Sequence, residues 1–189
     1  QPDLVTVMAG SNDLMSKTES LPKLRSQLRL GVEQLLAAGC DVLLANTINP
    51  LHLKVFKPLR HRAELFSILI DTVADEFEIP VLDVYGIDDF AELVYWAEDM
   101  VHFSGYGHIK VANQAADILE LSHRFPLPEL QPVSRGLVQT VKWVGRDVIP
   151  FFDRRLKGKT SGDGMMPKHL ELGPYSYRAE HPTWELISA

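Results

Sequence analysis

Three short apolar runs, each followed after a turn or loop by a helical periodicity, constrain this fold more than any other feature of the chain. Leu4-Val-Thr-Val-Met-Ala9 ends at Gly10-Ser-Asn-Asp13 and reads as a buried strand followed by a turn. Leu21, Leu24, Leu28, Val32, Leu35 and Leu36 then recur at helical spacing, with Ser20 as the cap and Gly39 as the stop. Residues 41–46 read as a second buried strand, followed by a turn-rich stretch over 47–53. Phe56, Leu59, Ala63, Phe66, Ile70, Val73 and Phe77 alternate steps of three and four, which predicts a helix from near Lys57 to just before Pro80. Residues 80–84 read as a third strand, 88–96 as a short helix or turn, and 99–107 as a loop. Ile109, Ala112, Ala116 and Leu119 mark a last helix to about Leu121. Strands alternating with helices predict a parallel sheet with helices on both faces.

At 189 residues and 46% hydrophobic, the chain can bury one sizeable core. Three strands are few for such a sheet, and Gln1 stands close before the first of them. The expectation is that the chain is trimmed at its N-terminus and that strands are missing upstream. Cys40 is the single cysteine, which excludes an internal disulfide framework and a cysteine-based zinc site. Its expected place is a helix–strand junction, as a small buried hydrophobe. The sequence has no apolar run of 18 residues, so no membrane-spanning helix is expected, and the compartment expected is the cytoplasm.

After Arg124 the character changes, which divides a core over residues 1–124 from a region over 125–189. Phe125-Pro-Leu-Pro128 and Gln131-Pro132 form a linker, and Leu137, Val141, Val144, Val148 and Phe151 predict one more amphipathic helix. Residues 134–160 carry seven Lys or Arg and two Asp, a net of +5, on a chain whose total is −6. That total gives no support for nucleic-acid binding. The basic helix is expected to pack on its own acidic domain; its alternatives are an anionic membrane surface, an acidic partner, or a lid at the substrate entrance. Beyond Lys157 the sequence is rich in Gly and Pro and reads as an extended tail.

Two short motifs could carry chemistry. In Asp99-Met-Val-His102 the carboxylate can sit beside the imidazole, fix its tautomer and leave the other ring nitrogen to take a proton from a serine. In Gly10-Ser11-Asn12-Asp13, at the carboxyl end of a strand, the Asn amide can donate to an oxyanion. Each has an ordinary alternative: solvated Asp–His neighbours are common, and Gly/Asn turns cap the segments after them. His102 and His108, six residues apart across a loop, have no metal-ligand logic of their own, and no metal or other cofactor is expected. His108 is expected to serve the start of the following helix, and His52, His61 and Arg62 to be solvated. Ser11 and Ser104 are expected to be turn residues.

Together, about 90 residues apart, the two motifs resemble the third and fifth sequence blocks of the SGNH (GDSL-type) hydrolase superfamily, G-x-N-D and D-x-x-H. Residues 96–108 are similar to the fifth block in detail, Pro2-Asp-Leu-Val-Thr-Val resembles the strand before the third block, and the Gly158–Gly164 tail with Pro167-Lys168 resembles tails of a bacterial, especially actinobacterial, subgroup. The resemblance implies a three-layer α/β/α, flavodoxin-like fold with a parallel sheet, here N-terminally truncated and extended by the C-terminal helix and tail. It implies His102 as general base, Asp99 as its orienting carboxylate and Asn12 as an oxyanion-hole donor. Gly10 would permit the turn that presents Asn12, and Asp13 would support the loop.

Two blocks of the family pattern are missing. The G-D-S block that supplies the nucleophile is not in the chain: its Gly162-Asp163 pair is followed by Gly164. The second block, whose Gly amide would be another oxyanion donor, is also missing, and the chain has no G-x-S-x-G elbow. The resulting expectation is a serine ester hydrolase for small or lipid-like carboxylic esters whose serine lies on an upstream segment, with a second chain or an N-terminal fragment completing the sheet. The alternatives are an inactive SGNH-like binding domain and a membrane-surface module acting through residues 134–160.

Overall fold

In the computed structural model, which describes residues 2–14, 19–50, 53–131, 133–157 and 166, the three apolar runs form one sheet. Strands β1 (Leu4–Val7), β2 (Asp41–Ala45) and β3 (Val81–Leu82) are parallel and lie in the order β1–β2–β3. The register pairs Leu4 with Asp41 and Val7 with Leu44, then Leu44 with Val81 and Ala45 with Leu82. Because successive side chains of a strand point to opposite faces, β2 feeds two cores. Val42 and Leu44 join α2 (Leu21–Ala37) and α3 (Arg60–Phe77) through Leu24, Val32, Phe66, Ile70 and Val73. Leu43 and Ala45 join Leu82, Val84, Phe90, Trp96 and the inner side of α4 (Gly105–Ile118) on the other face. The chain is therefore a three-layer α/β/α fold with a parallel sheet, as the alternation of elements predicts.

The helix ends follow local chemistry. Ser20 caps α2 by accepting a hydrogen bond from the Lys23 amide at 3.4 Å. Cys40 is buried at the α2–β2 junction, as expected. The helix predicted from Lys57 begins at Arg60, and Lys54–Leu59 is a 3-10 helix. Pro58 lies within that 3-10 helix. The last helix of the core begins earlier than its apolar period suggests. Gly105-Tyr-Gly107, expected as loop, forms the first turn of α4, because Ser104 caps it. Gly10–Asp13, expected as a turn, is tightened into the one-turn helix α1 (Ser11–Leu14).

The basic segment forms a helix in three parts: α5 (Leu137–Trp143), a π-helical turn (Val144–Val148) and α6 (Ile149–Leu156). Pro150 explains the π turn, whose wider ring absorbs the missing amide donor and the crowding at the Arg146 carbonyl. The helix packs on its own domain, as expected. Trp143 is buried with Leu130, Val144 and Val148 in the second core, and Arg146 pairs with Glu98 at 3.0 Å. Yet Leu137, Val138, Val141 and Ile149 face solvent. Among the described residues no helix is long and apolar enough to cross a membrane. The predicted tail, the Gly162–Asp163 pair and His52 lie outside the described residues.

Candidate active site

All three strands run in one direction, so their carboxyl ends share one edge, and both motifs emerge there. Gly10 ends β1 in the left-handed region (φ 91°), and a Cβ at this position would lie 2.3 Å from the Phe66 ring. Only glycine combines that conformation with that closeness. The Gly10 carbonyl accepts from the amides of Asp13 (3.0 Å) and Leu14 (3.1 Å), which closes α1 and sets Asn12 on its exposed side. Ser11 shares a hydrogen bond of 3.2 Å with Thr47, tying the β1 turn to the loop after β2. Asn46, buried at the end of β2, donates to the Asp83 carboxylate at 2.7 Å and accepts from the Tyr85 amide at 2.8 Å, which ties the ends of β2 and β3.

The second motif is held as a closed loop. Trp96 and Phe103 form an antiparallel bridge at its base, and the Ala97 amide donates to the His102 carbonyl at 2.9 Å. Met100 adopts φ 61° with its side chain buried, a left-handed conformation rare outside glycine and asparagine. This kink folds the Asp99 side chain back over the next two residues. Asp99 Oδ1 accepts from the amides of Val101 (2.9 Å) and His102 (3.0 Å), and Oδ2 lies 2.6 Å from His102 Nδ1. Burial alone pushes the Asp99 carboxyl up, but the hydrogen bonds from the His102 amide, the His102 ring and the Val101 amide outweigh it and hold it below the usual 3.8. An ionised carboxylate can only accept, so Nδ1 must carry the proton and Nε2 is left as the basic nitrogen. The His102 side chain is 77% exposed, so Nε2 is open to a reactant, while Asp99 at 34% is partly shielded.

The two motifs meet across a small cleft of about 120 Å³. Ser11 and Leu14 line it from the β1 side, Met100 and Val101 from the Asp99 loop, and Thr47 from the loop after β2. Asn12, Asp99 and His102 are not among the lining residues; their chain neighbours are. Both serines beside the motifs have hydrogen-bond partners within the fold. Ser104 Oγ donates to the Val94 carbonyl at 2.6 Å and accepts from the Gly107 amide at 3.3 Å, and Ser11 is held by Thr47. His108 serves the start of α4, its amide donating to the Ser104 carbonyl at 2.9 Å and its ring edge-on to Phe103. Arg62, expected to be solvated, is half-buried and donates to the Glu19 carbonyl. His61 is exposed, as expected, 3.7 Å from Glu64.

One supporting residue was missed from sequence. The Trp143 indole N–H donates to the Asp99 carbonyl at 2.8 Å, so the C-terminal helix grips the backbone of the residue that orients His102. Arg135 strengthens this grip, with its guanidinium 5.7 Å from the Trp143 ring centroid and a hydrogen bond to the Glu98 carbonyl. A tryptophan in an otherwise basic, amphipathic helix was the available signal, since a buried indole N–H requires an acceptor.

Residues 1–109 match the GDSL-like lipase/acylhydrolase family. Among solved structures, the chain is similar to a catalytic mutant of an acetylxylan esterase from Geobacillus stearothermophilus, with a TM-score of 0.54 and 19% identity over 66% of this chain and 62% of that one. A second variant of that acetylxylan esterase gives 0.53 and 18% over 71% and 62%, and another, described as an acetyl-xylooligosaccharide esterase, gives 0.52 and 19% over 70% and 63%. The match thus spans just over three fifths of the length of these structures, and at such identity it establishes a shared fold. No curated protein matches the sequence significantly.

Proposed function

Since the chain belongs to the GDSL-like lipase/acylhydrolase family, we propose that it carries the acid–base half of a serine ester hydrolase. The observation that carries this reading is the 2.6 Å contact between Asp99 Oδ2 and His102 Nδ1, made by a carboxylate held ionised by two backbone amides. In the proposed reaction His102 Nε2 removes the proton from a serine hydroxyl as the oxygen attacks the ester carbonyl. Asp99 stabilises the imidazolium that forms, and Asn12 donates to the oxyanion. The imidazolium then protonates the departing alcohol. Water, deprotonated by the same imidazole, releases the acid.

The serine is proposed to come from a segment outside these 189 residues. Two features support that: Ser11 and Ser104 are engaged structurally, and β1 forms the edge of the sheet among the described residues, with Leu4 and Met8 exposed beside it. A strand laid along β1, from the same chain or a second one, would bring its own carboxyl end to the edge where His102 stands. In the complete enzyme, His102→Ala is expected to lower turnover of a short-chain aryl ester by roughly three or more orders of magnitude, the scale of triad members generally. Near-normal turnover would remove His102 from the role of base.

A second reading concerns the C-terminal helix. Leu137 is 86% and Val141 70% exposed, on a segment of net charge +5, which favours peripheral contact with an anionic membrane. Flotation with phosphatidylserine vesicles, with and without residues 134–160, tests it; equal recovery of both proteins rejects it.

A further inference from the structure

A cleft of about 400 Å³, larger than the small one and sharing Trp96 and Met100 with it, lies between the Asp99 loop and α5. This is an ordinary size for a small-molecule site. Its floor is apolar and aromatic: Trp96 and Met100 come from the loop, and Trp143 from the helix. Its wall is cationic. Arg135, Lys142 and Arg146 all line it, and Glu98 is the one acid among the lining residues. On a chain with net charge −6, this concentrates positive charge against an apolar surface.

The three cations are not equally committed. Arg146 is paired with Glu98 at 3.0 Å and Asp147 at 2.9 Å. Arg135 lies over the Trp143 ring and donates through Nη2 to the Glu98 carbonyl, but its Nη1 is shielded from solvent with no hydrogen-bond partner among the described residues. A shielded guanidinium donor left unpaired costs free energy that an anionic oxygen would recover, and the planar fork of arginine suits a carboxylate. Lys142 is exposed next to it. The apolar floor has a separate requirement, since an inorganic anion would leave it uncovered.

We propose that this cleft is a binding site for a small organic carboxylate with an apolar body, the carboxylate toward Arg135 and Lys142 and the body against Trp96, Met100 and Trp143. The site is distinct from the Asp99–His102 pair and needs neither a nucleophile nor turnover, so it stands or falls apart from the hydrolase reading. Its occupant would touch both the loop that carries Asp99 and the helix that grips it.

Calorimetric titration of the full chain with sodium hexanoate, 1-hexanol and inorganic phosphate tests the proposal. Saturable hexanoate binding is expected, at least tenfold tighter than either comparator and weakening as salt is raised. Arg135→Gln and Lys142→Gln should each reduce hexanoate affinity several-fold, with the larger loss at Arg135. Lys142 is exposed, so its variant carries the test if the arginine variant fails to fold. Absence of saturable hexanoate binding overturns the site. So does equal binding of hexanol, which would mean an apolar crevice alone, or of phosphate, which would mean a charged surface alone. Hexanoate affinity unchanged in the folded variants overturns it as well.

Discussion

Asp99 is bonded four ways. Its carboxylate receives two backbone amides and the His102 ring, and its carbonyl receives the Trp143 indole. Hydrogen bonds to an ionised group are worth about 1.5–3 kcal/mol when well made, so this arrangement both orients the imidazole and stabilises the loop. A carboxyl whose folded pKa is depressed adds stability above its unfolded value and loses it as pH falls through the folded value. The contribution of Asp99 is therefore present at neutral pH and begins to fade below the usual 3.8. Asp99→Asn is expected to lower the melting temperature at pH 7, and to lower it less at pH 2.5. A gap that is the same at both pH values would mean that charge is not what Asp99 supplies. Gly10 makes a different kind of demand, steric rather than electrostatic. Gly10→Ala must strain a backbone at φ 91° and displace the Phe66 ring, and is expected to destabilise by about 1–3 kcal/mol for each of these effects, read by chemical denaturation. Both motifs are visible as short strings of residues. The reason their parts work, a left-handed Met100 in one and a ring pressed against the glycine in the other, is not, because both depend on contacts made by distant residues.

At the level of elements, the sequence periods located the helices and strands well and their ends less well. Apolar spacing reports which face of a helix is buried, whereas ends are decided by single capping residues such as Ser20 and Ser104. The C-terminal helix shows the difference most clearly. Its apolar period predicted one amphipathic face; the structure turns Trp143 inward and leaves Leu137, Val138 and Val141 outward. Packing on the acidic domain is thus achieved by Trp143, two arginines and only the later part of the aliphatic stripe, Val144 and Val148. Trp143→Phe keeps the ring and loses the N–H bond, and is expected to cost about 1 kcal/mol. Trp143→Ala also loses the buried ring, and about 3–5 kcal/mol is expected. Guanidinium denaturation of both variants checks the order; an equal loss would mean that the buried ring adds nothing beyond the hydrogen bond to Asp99.

Across the whole molecule, the sheet has two faces covered by helices and, among the described residues, an edge at β1 without a neighbour. An unpaired strand of alternating exposed residues is a template for another strand. These 189 residues, produced alone, are expected to associate in a concentration-dependent way, seen by light scattering. Thr6→Lys, at an exposed position of β1, should reduce that association without altering the helical circular dichroism. Association unaffected by Thr6→Lys would place the contact elsewhere, the outward face of α5 being the next surface to vary. By itself the sequence determined the α/β class, the parallel order of strands and the two motifs, because periodicity and short motif strings are local properties. The tertiary structure decided that His102 Nδ1 rather than Nε2 meets the carboxylate, that the flanks of Asn12 and His102 face one cleft, and that Trp143 braces Asp99. Those outcomes depend on distances between residues far apart in the chain, which are fixed only when the two cores pack against the sheet.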